Sequence, residues 1–115
     1  MPVTLPSTES ETQGVLTPIY NVVLLDDDDH TVEYVVEMLQ RLFLVAKAQA
    51  HMHALEVHHT GRSVVLTAEL PVASFAKEQI HGYGADWRLK GSKGSMSAIL
   101  EPAGGEAGGG GGTAA

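Results

Sequence analysis

Four aspartates at positions 26–29 separate an apolar run from an apolar helical pattern, and they constrain the fold more than any other feature. The run before them, 20–25, is β-branched and nearly continuous, which is typical of a buried strand. The apolar residues after them recur at the spacing of one helix face: Val32, Val35, Val36, Leu39, Leu42 and Phe43. Adjacent carboxylates repel each other and end the apolar run abruptly, so the chain turns from strand to helix here.

The next segments predict a second helix and a second strand. Residues 46–60 are rich in alanine, which favours a helix, and Gly61 suits the position after its last turn. Residues 62–70 contain the run Val-Val-Leu-Thr and predict a strand.

The last part of the pattern predicts a third helix, a loop at 87–94 and a third strand at 96–101. Pro71 suits the first position of this helix, and an apolar stripe follows it: Val72, Phe75, Ala76, Ile80 and Tyr83. The order β-α-α-β-α-β predicts an α+β fold, a three-stranded antiparallel sheet with three helices packed on one side.

Length and composition predict one small domain and exclude several functions. Residues 1–18 predict a flexible arm, 19–102 the folded unit, and 103–115 a disordered Gly-rich tail. The net charge of −7 argues against nucleic acid as a partner. The absence of cysteine excludes thiol chemistry, and no apolar run suits a membrane span. No secretory signal is recognisable at the N-terminus, so we expect a cytoplasmic location.

The acidic turn has several interpretations on its residues alone. Capping of the following helix requires one carboxylate and leaves the other three unexplained. A calcium loop would use Asp26, Asp28, His30 and Glu37, but Thr31 stands where such a loop has its turn glycine.

Three further interpretations use histidines. A transition-metal site would use His51 and His58, which share a helix face, with His53, His59 and His81 nearby in sequence, although the spacings match no common zinc signature. A small metal-dependent enzyme would combine residues 26–28 with His51 or His58. An organic ammonium, such as a peptide α-amine, requires carboxylates, a neutral acceptor such as His58 or His59, and a neighbouring apolar pocket. Small apolar residues on the first two helices suit that pocket: Val32, Val35, Ala54 and Val57.

At this point the residues resemble the ClpS family, the adaptors that deliver substrates to the Clp protease. The matching stretches are YNVVLLDDD at 20–28, EYVVEMLQR at 33–41, ALEVHHTGR at 54–62 and LEP at 100–102. The resemblance implies the same β-α-α-β-α-β fold and a non-enzymatic adaptor without cofactor or metal. Such an adaptor binds substrates that begin with a bulky hydrophobic residue and passes them to the N-terminal domain of a hexameric AAA+ unfoldase.

The resemblance also implies the positions of the sites. The α-amine site corresponds to Asp26, Asp27 and His58. The pocket for the hydrophobic side chain corresponds to Asp28, His30, Val32, Val35, Ala54, Val57 and Met96. The arm at 1–18 corresponds to the extension that engages the unfoldase.

Several positions depart from the family pattern. Asp26 replaces an asparagine, and Val32 and Ala54 replace methionines, so we expect a wider pocket that also accepts Ile, Val or Met. At the start of the third helix, Glu69 and Lys77 are the charged residues left for unfoldase docking. The loss of charged residues at this docking position favours an alternative function. In that alternative, a ClpS-fold protein no longer delivers such substrates and instead modulates the protease or binds another partner.

Overall fold

The computed structural model of the chain describes residues 17–103. The elements are β1 Ile19–Leu25, α1 Val32–Phe43, α2 Lys47–Thr60, β2 Arg62–Glu69, α3 Leu70–His81 and β3 Ser97–Pro102. This order confirms the predicted α+β fold. The predicted arm and tail lie outside the described residues, apart from 17, 18 and 103. No helix within 17–103 is long and apolar enough to cross a membrane.

β1 is the central strand of the sheet and is antiparallel to both neighbours, in the order β2-β1-β3. Val22 and Leu24 face the helices and belong to the main core. On the opposite face Val23 lies between Val64 and Ile99, and it is fully buried although its neighbours are partly exposed. Burial on both faces explains why the first apolar run is nearly continuous.

On the outer face of the sheet, an ion pair lies beside the partly exposed Val64 and Ile99. Arg62 of β2 and Glu101 of β3 form an ion pair that crosses the central strand. The Arg62 guanidinium holds the pKa of Glu101 below its usual value. The three helices therefore share a single core with the other face of the sheet.

α1 and α2 form an antiparallel pair because the chain reverses within three residues. Leu44 caps the C-terminal end of α1; it adopts a left-handed conformation with φ 56° and donates its N–H to the carbonyl of Gln40. α2 then begins at Lys47 and is capped by Gly61. The start of α1 consequently lies near the end of α2.

A buried polar network holds α2 against β2. Ser63 is 1% exposed, and its hydroxyl donates to Glu56 of α2 while His53 Nδ1 lies 2.9 Å from the same oxygen. Gln49 Nε2 lies 3.2 Å from His53 Nε2, on the other side of the ring. The Ser63 hydroxyl and both ring nitrogens of His53 therefore have partners in this contact.

α3 presents a different face to the core from the one that its apolar residues predict. Val72 and Phe75 are 56% and 64% exposed, whereas Ala73, Ala76 and Ile80 are buried. The predicted stripe is therefore wrong at Val72 and Phe75. The small alanines let the helix backbone approach the sheet closely, and the larger side chains remain in solvent.

Candidate ligand-binding site

The end of β1 and the end of α2 meet at one corner of the domain. Gly61 ends α2 with φ 92°, and its N–H donates to the carbonyl of Val57 at 2.8 Å. The Gly61 carbonyl accepts the N–H of Asp26 at 3.0 Å. Glycine reaches this conformation without a side-chain penalty, so this contact places Asp26 beside the last turn of α2, where His58 lies.

A small pocket, called here the turn pocket, opens at this corner. It is lined by Asp26, His30, Thr31, Val32, Val35, Ala54, Val57, His58 and Met96. Asp26 and His58 are exposed, whereas Val35, Val57 and Met96 are buried. The pocket therefore has a polar rim and an apolar floor.

The turn pocket is narrow, with a volume of about 10 Å³. That is room for about one water molecule. Although Val32 and Ala54 are small, they leave no large open cavity, so a bulky side chain requires the walls to move apart.

His30 joins the acidic turn to the loop at 83–96. Its Nδ1 lies 2.7 Å from Asp27 Oδ1, and its Nε2 lies 2.6 Å from the Gly94 carbonyl oxygen. The ring also packs against Tyr34, with 4.4 Å between the centroids. His30 therefore links Asp27 of the acidic turn to the Gly94 carbonyl, and it closes one side of the pocket.

The buried carboxylate of Asp86 organises the same loop and the start of α1. One oxygen accepts the Thr31 N–H at 2.7 Å and the Thr31 hydroxyl at 2.8 Å. The other accepts the Arg88 N–H at 3.0 Å and the Arg88 guanidinium at 3.2 Å. Burial raises the pKa of Asp86, but the bonds from Thr31 and Arg88 outweigh it and hold the pKa below its usual value.

Two further contacts fix the loop at 83–96. The Tyr34 hydroxyl donates to the Gly84 carbonyl, and burial raises the pKa of Tyr34. Arg88 pairs with Glu37 at 3.2 Å and lies 4.6 Å from the centre of the Trp87 ring. These contacts give the loop a defined path to Met96, which forms part of the pocket wall.

The structure decides between some interpretations of the acidic turn. Thr31 caps α1, because its hydroxyl oxygen accepts the Tyr34 N–H at 3.1 Å, so capping by the aspartates is wrong. Glu37, which the calcium loop would use as its last ligand, is instead paired with Arg41 and Arg88. Within residues 17–103 no group of three His, Asp or Glu side chains is arranged to hold a metal ion.

Most of the residues predicted for ligand binding share the turn pocket, and Thr31 is an addition. Asp27 and Asp28 do not line it: Asp27 is engaged by His30, and Asp28 is exposed. Their predicted roles stay predictions. His59 also lies outside the lining, with its ring centre 5.9 Å from that of His58.

Asp86 is the principal residue that sequence analysis missed. No local signal distinguishes it, because its partner Thr31 is 55 residues away along the chain. The predicted docking residues lie apart from the pocket: Glu69 precedes α3, and Lys77 follows two turns later.

Comparison with known proteins identifies this arrangement as a protease adaptor domain. The family model described as "ATP-dependent Clp protease adaptor protein ClpS" matches residues 16–87. The chain therefore belongs to the ClpS family.

Curated relatives and a solved structure agree with this assignment. A ClpS of Neisseria meningitidis serogroup A is 34% identical over 82 residues, which cover 65% of this chain and 80% of that protein. A ClpS of Synechococcus is 32% identical over 84 residues, covering 72% and 92%. Agrobacterium tumefaciens ClpS2, solved with L-phenylalaninamide, matches with a TM-score of 0.64 at 23% identity, covering 75% of this chain and 98% of that one. The comparison with ClpS2, at this low identity, supports the assignment of the fold alone.

Proposed function

We propose that this protein binds the free α-amine and bulky hydrophobic side chain of a substrate's first residue and delivers the substrate to a Clp-type AAA+ unfoldase. The observation that supports the proposal is that Asp26 and His58 both lie at the rim of the same apolar pocket. An ammonium group has three donors and no acceptor, so it needs such acceptors. Its positive charge would also reduce the repulsion within the acidic turn.

The proposed roles follow from the free atoms of each side chain. Asp26 and a neutral His58 accept hydrogen bonds from the amine. Oδ1 of Asp27 already accepts from His30 and from the Asp29 N–H at 2.9 Å, so its Oδ2 is the oxygen left for the amine. Asp28 contributes negative charge from the exposed side of the turn.

A ligand of the relative ClpS2 supports the same chemistry. L-phenylalaninamide, bound in that structure, combines a free α-amine with an apolar side chain. The turn pocket of this chain offers matching groups, with carboxylate and imidazole at the rim and Val35, Val57 and Met96 inside. The proposed activity is binding, so no cofactor is needed, and a cytoplasmic location remains part of the proposal.

The walls of the turn pocket must move to admit the side chain. Met96 is suited to this because its unbranched chain repacks easily. Because Val32 and Ala54 are small, we expect N-terminal Ile, Val and Met to bind within about tenfold of Leu. Ile is an isomer of Leu, Met is similar in size, and Val lacks one methylene group, which amounts to about 0.8 kcal/mol. A much larger drop for these residues would refute the broadened acceptance.

We assign delivery to the exposed start of α3. Glu69 and Lys77 provide the charged groups, and the exposed Val72 and Phe75 lie between them along the helix. A stable complex with the N-terminal domain of a Clp unfoldase, weakened by Phe75→Ser but not by His58→Ala, would support this assignment. Substrate binding without such a complex would favour the alternative, a ClpS-fold protein with another partner.

Fluorescence anisotropy tests the binding step. A Leu-initiated, dye-labelled peptide should bind, and the same peptide with an acetylated N-terminus should not, because acetylation removes the ammonium. His58→Ala should weaken binding, whereas the matched control His59→Ala should not. Equal binding of both peptides, or of neither, would overturn the proposal.

A further inference from the structure

A second hollow, larger than the turn pocket, follows the seam between α1 and α2. We call it the α1–α2 groove. Its volume is about 500 Å³, and its lining includes Val32, Glu33, Val36, Arg41, Lys47 and His51. Val36 is only 9% exposed and Val32 is half-buried, so they form an apolar floor, while the charged side chains form the rim.

The groove is continuous with the turn pocket. Val32 lines both hollows. On α2, His51 borders the groove and His58 borders the pocket. They are seven residues apart and lie on the same helix face, with a rise of about 10 Å between them. The groove therefore starts where the pocket ends and runs away from Asp26.

The length of the groove suits a short extended peptide. Along α1 it runs from Val32 to Arg41, which is a rise of about 13 Å. An extended chain advances about 3.3 Å per residue, so this distance holds about four residues. A peptide whose first side chain occupies the turn pocket would place its next residues here.

The two ends of the groove differ in charge. Glu33 stands at the pocket end, and Lys47 stands at the far end, at the start of α2. Within residues 17–103 neither is in a salt bridge, whereas Glu37 in the middle is paired with Arg41 and Arg88. No acidic residue in the first turn of α2 offsets Lys47, and the helix dipole adds positive charge there.

We propose that the α1–α2 groove binds residues two to five of the substrate, and that it favours a basic side chain at position two and an acidic one at position five. This inference rests on the proposed recognition of the N-terminal residue. It adds a second selection step, because the groove discriminates among substrates that share the same first residue.

Two dye-labelled peptides of identical composition test the proposal. One begins Leu-Lys-Ala-Ala-Glu and the other begins Leu-Glu-Ala-Ala-Lys. Two partly exposed ion pairs predict that the first binds about fivefold more tightly at low salt. The double variant Glu33→Lys with Lys47→Glu should reverse that preference, because both ends of the groove change sign.

A matched variant controls for the overall field of the protein. Glu78→Lys with Lys90→Glu changes two exposed residues outside the groove and also leaves the net charge unchanged, so it should keep the original preference. If the unmodified protein binds both peptides with equal affinity, and acetylation still abolishes binding, the proposed role of the groove fails while the proposed function stands. If neither peptide binds, both the groove and the proposed function fail.

Discussion

Asp86 and Asp26 show two opposite ways in which this domain uses an aspartate. Asp86 is 1% exposed, and its carboxylate accepts hydrogen bonds from the backbone and side chains of both Thr31 and Arg88. Asp26 is exposed, and among residues 17–103 only its backbone N–H forms a hydrogen bond. A carboxylate that the fold has already satisfied contributes to stability, whereas an unsatisfied one at a pocket rim is available to a ligand.

Asp27 is intermediate between these two cases. Its side chain is 34% exposed, and one oxygen is taken by His30 and the Asp29 N–H while the other is free. The comparison therefore predicts that stability losses decrease from Asp86 to Asp26, and that binding losses are largest at Asp26.

The largest effect is expected for Asp86→Ala. This change leaves the Thr31 donors and the Arg88 N–H without their buried acceptor, which we expect to cost about 3 kcal/mol in the free energy of unfolding. Urea unfolding measures the loss, with Asp28→Ala, an exposed aspartate, as the control. Equal stability of the two variants would remove the distinction between buried and exposed carboxylates.

A smaller loss is expected for His30→Ala. The variant loses the bonds to Asp27 and to the Gly94 carbonyl together with the packing on Tyr34, which predicts about 2 kcal/mol of destabilisation. His59→Ala, an exposed histidine, should change stability by less than about 0.5 kcal/mol. If His30→Ala unfolds at the same urea concentration as the unmodified protein, the clamp between the turn and the loop contributes nothing.

Asp26→Ala should lower affinity while leaving stability almost unchanged. Losing one charge-assisted bond to the ammonium predicts about tenfold weaker binding of a Leu-initiated peptide, or about 1.4 kcal/mol. Asp29→Ala removes a neighbouring carboxylate outside the pocket and keeps the backbone N–H bond to Asp27. If Asp26→Ala and Asp29→Ala lose the same affinity, the negative charge of the turn acts in general and Asp26 makes no specific contact with the amine.

The smallest effect expected is the pH dependence contributed by Asp86. Its folded pKa is lower than usual, so its stabilisation is present above the pKa of an unfolded aspartate, near 4, and is lost as the pH falls through the folded pKa. The stability difference between the unmodified protein and Asp86→Asn should therefore shrink from pH 5 to pH 3.5 in urea unfolding. A constant difference would contradict the lowered pKa.

The local sequence pattern and the family resemblance were sufficient to predict the helices and strands and most residues of the turn pocket. The apolar spacing of α1 predicts its bounds, and Gly61 ends α2 as expected. The pocket residues predicted from the family resemblance lie at the end of β1, the start of α1, the end of α2 and just before β3, which meet in the fold. The bounds of these elements depend on neighbours in sequence, whereas their meeting at one corner depends on the fold.

Sequence analysis failed where the choice depended on distant partners. Val72 and Phe75 are as apolar as the buried residues of α3, and the close approach of Ala73 to the sheet decides which face is covered. Thr31 rather than an aspartate caps α1, because Asp86 from the loop at 83–96 orients it. The α1–α2 groove likewise exists only because two helices separated by a turn pack against each other.

The sequence by itself therefore determined the order of the elements, the position of the acidic turn and the family. Only the tertiary structure decided which carboxylates are buried and satisfied, which apolar face of α3 is covered, and how the turn pocket and the groove adjoin. The physical reason is that hydrophobic periodicity and turn propensity act over a few residues, whereas hydrogen-bond satisfaction and packing are set by side chains that meet only after folding.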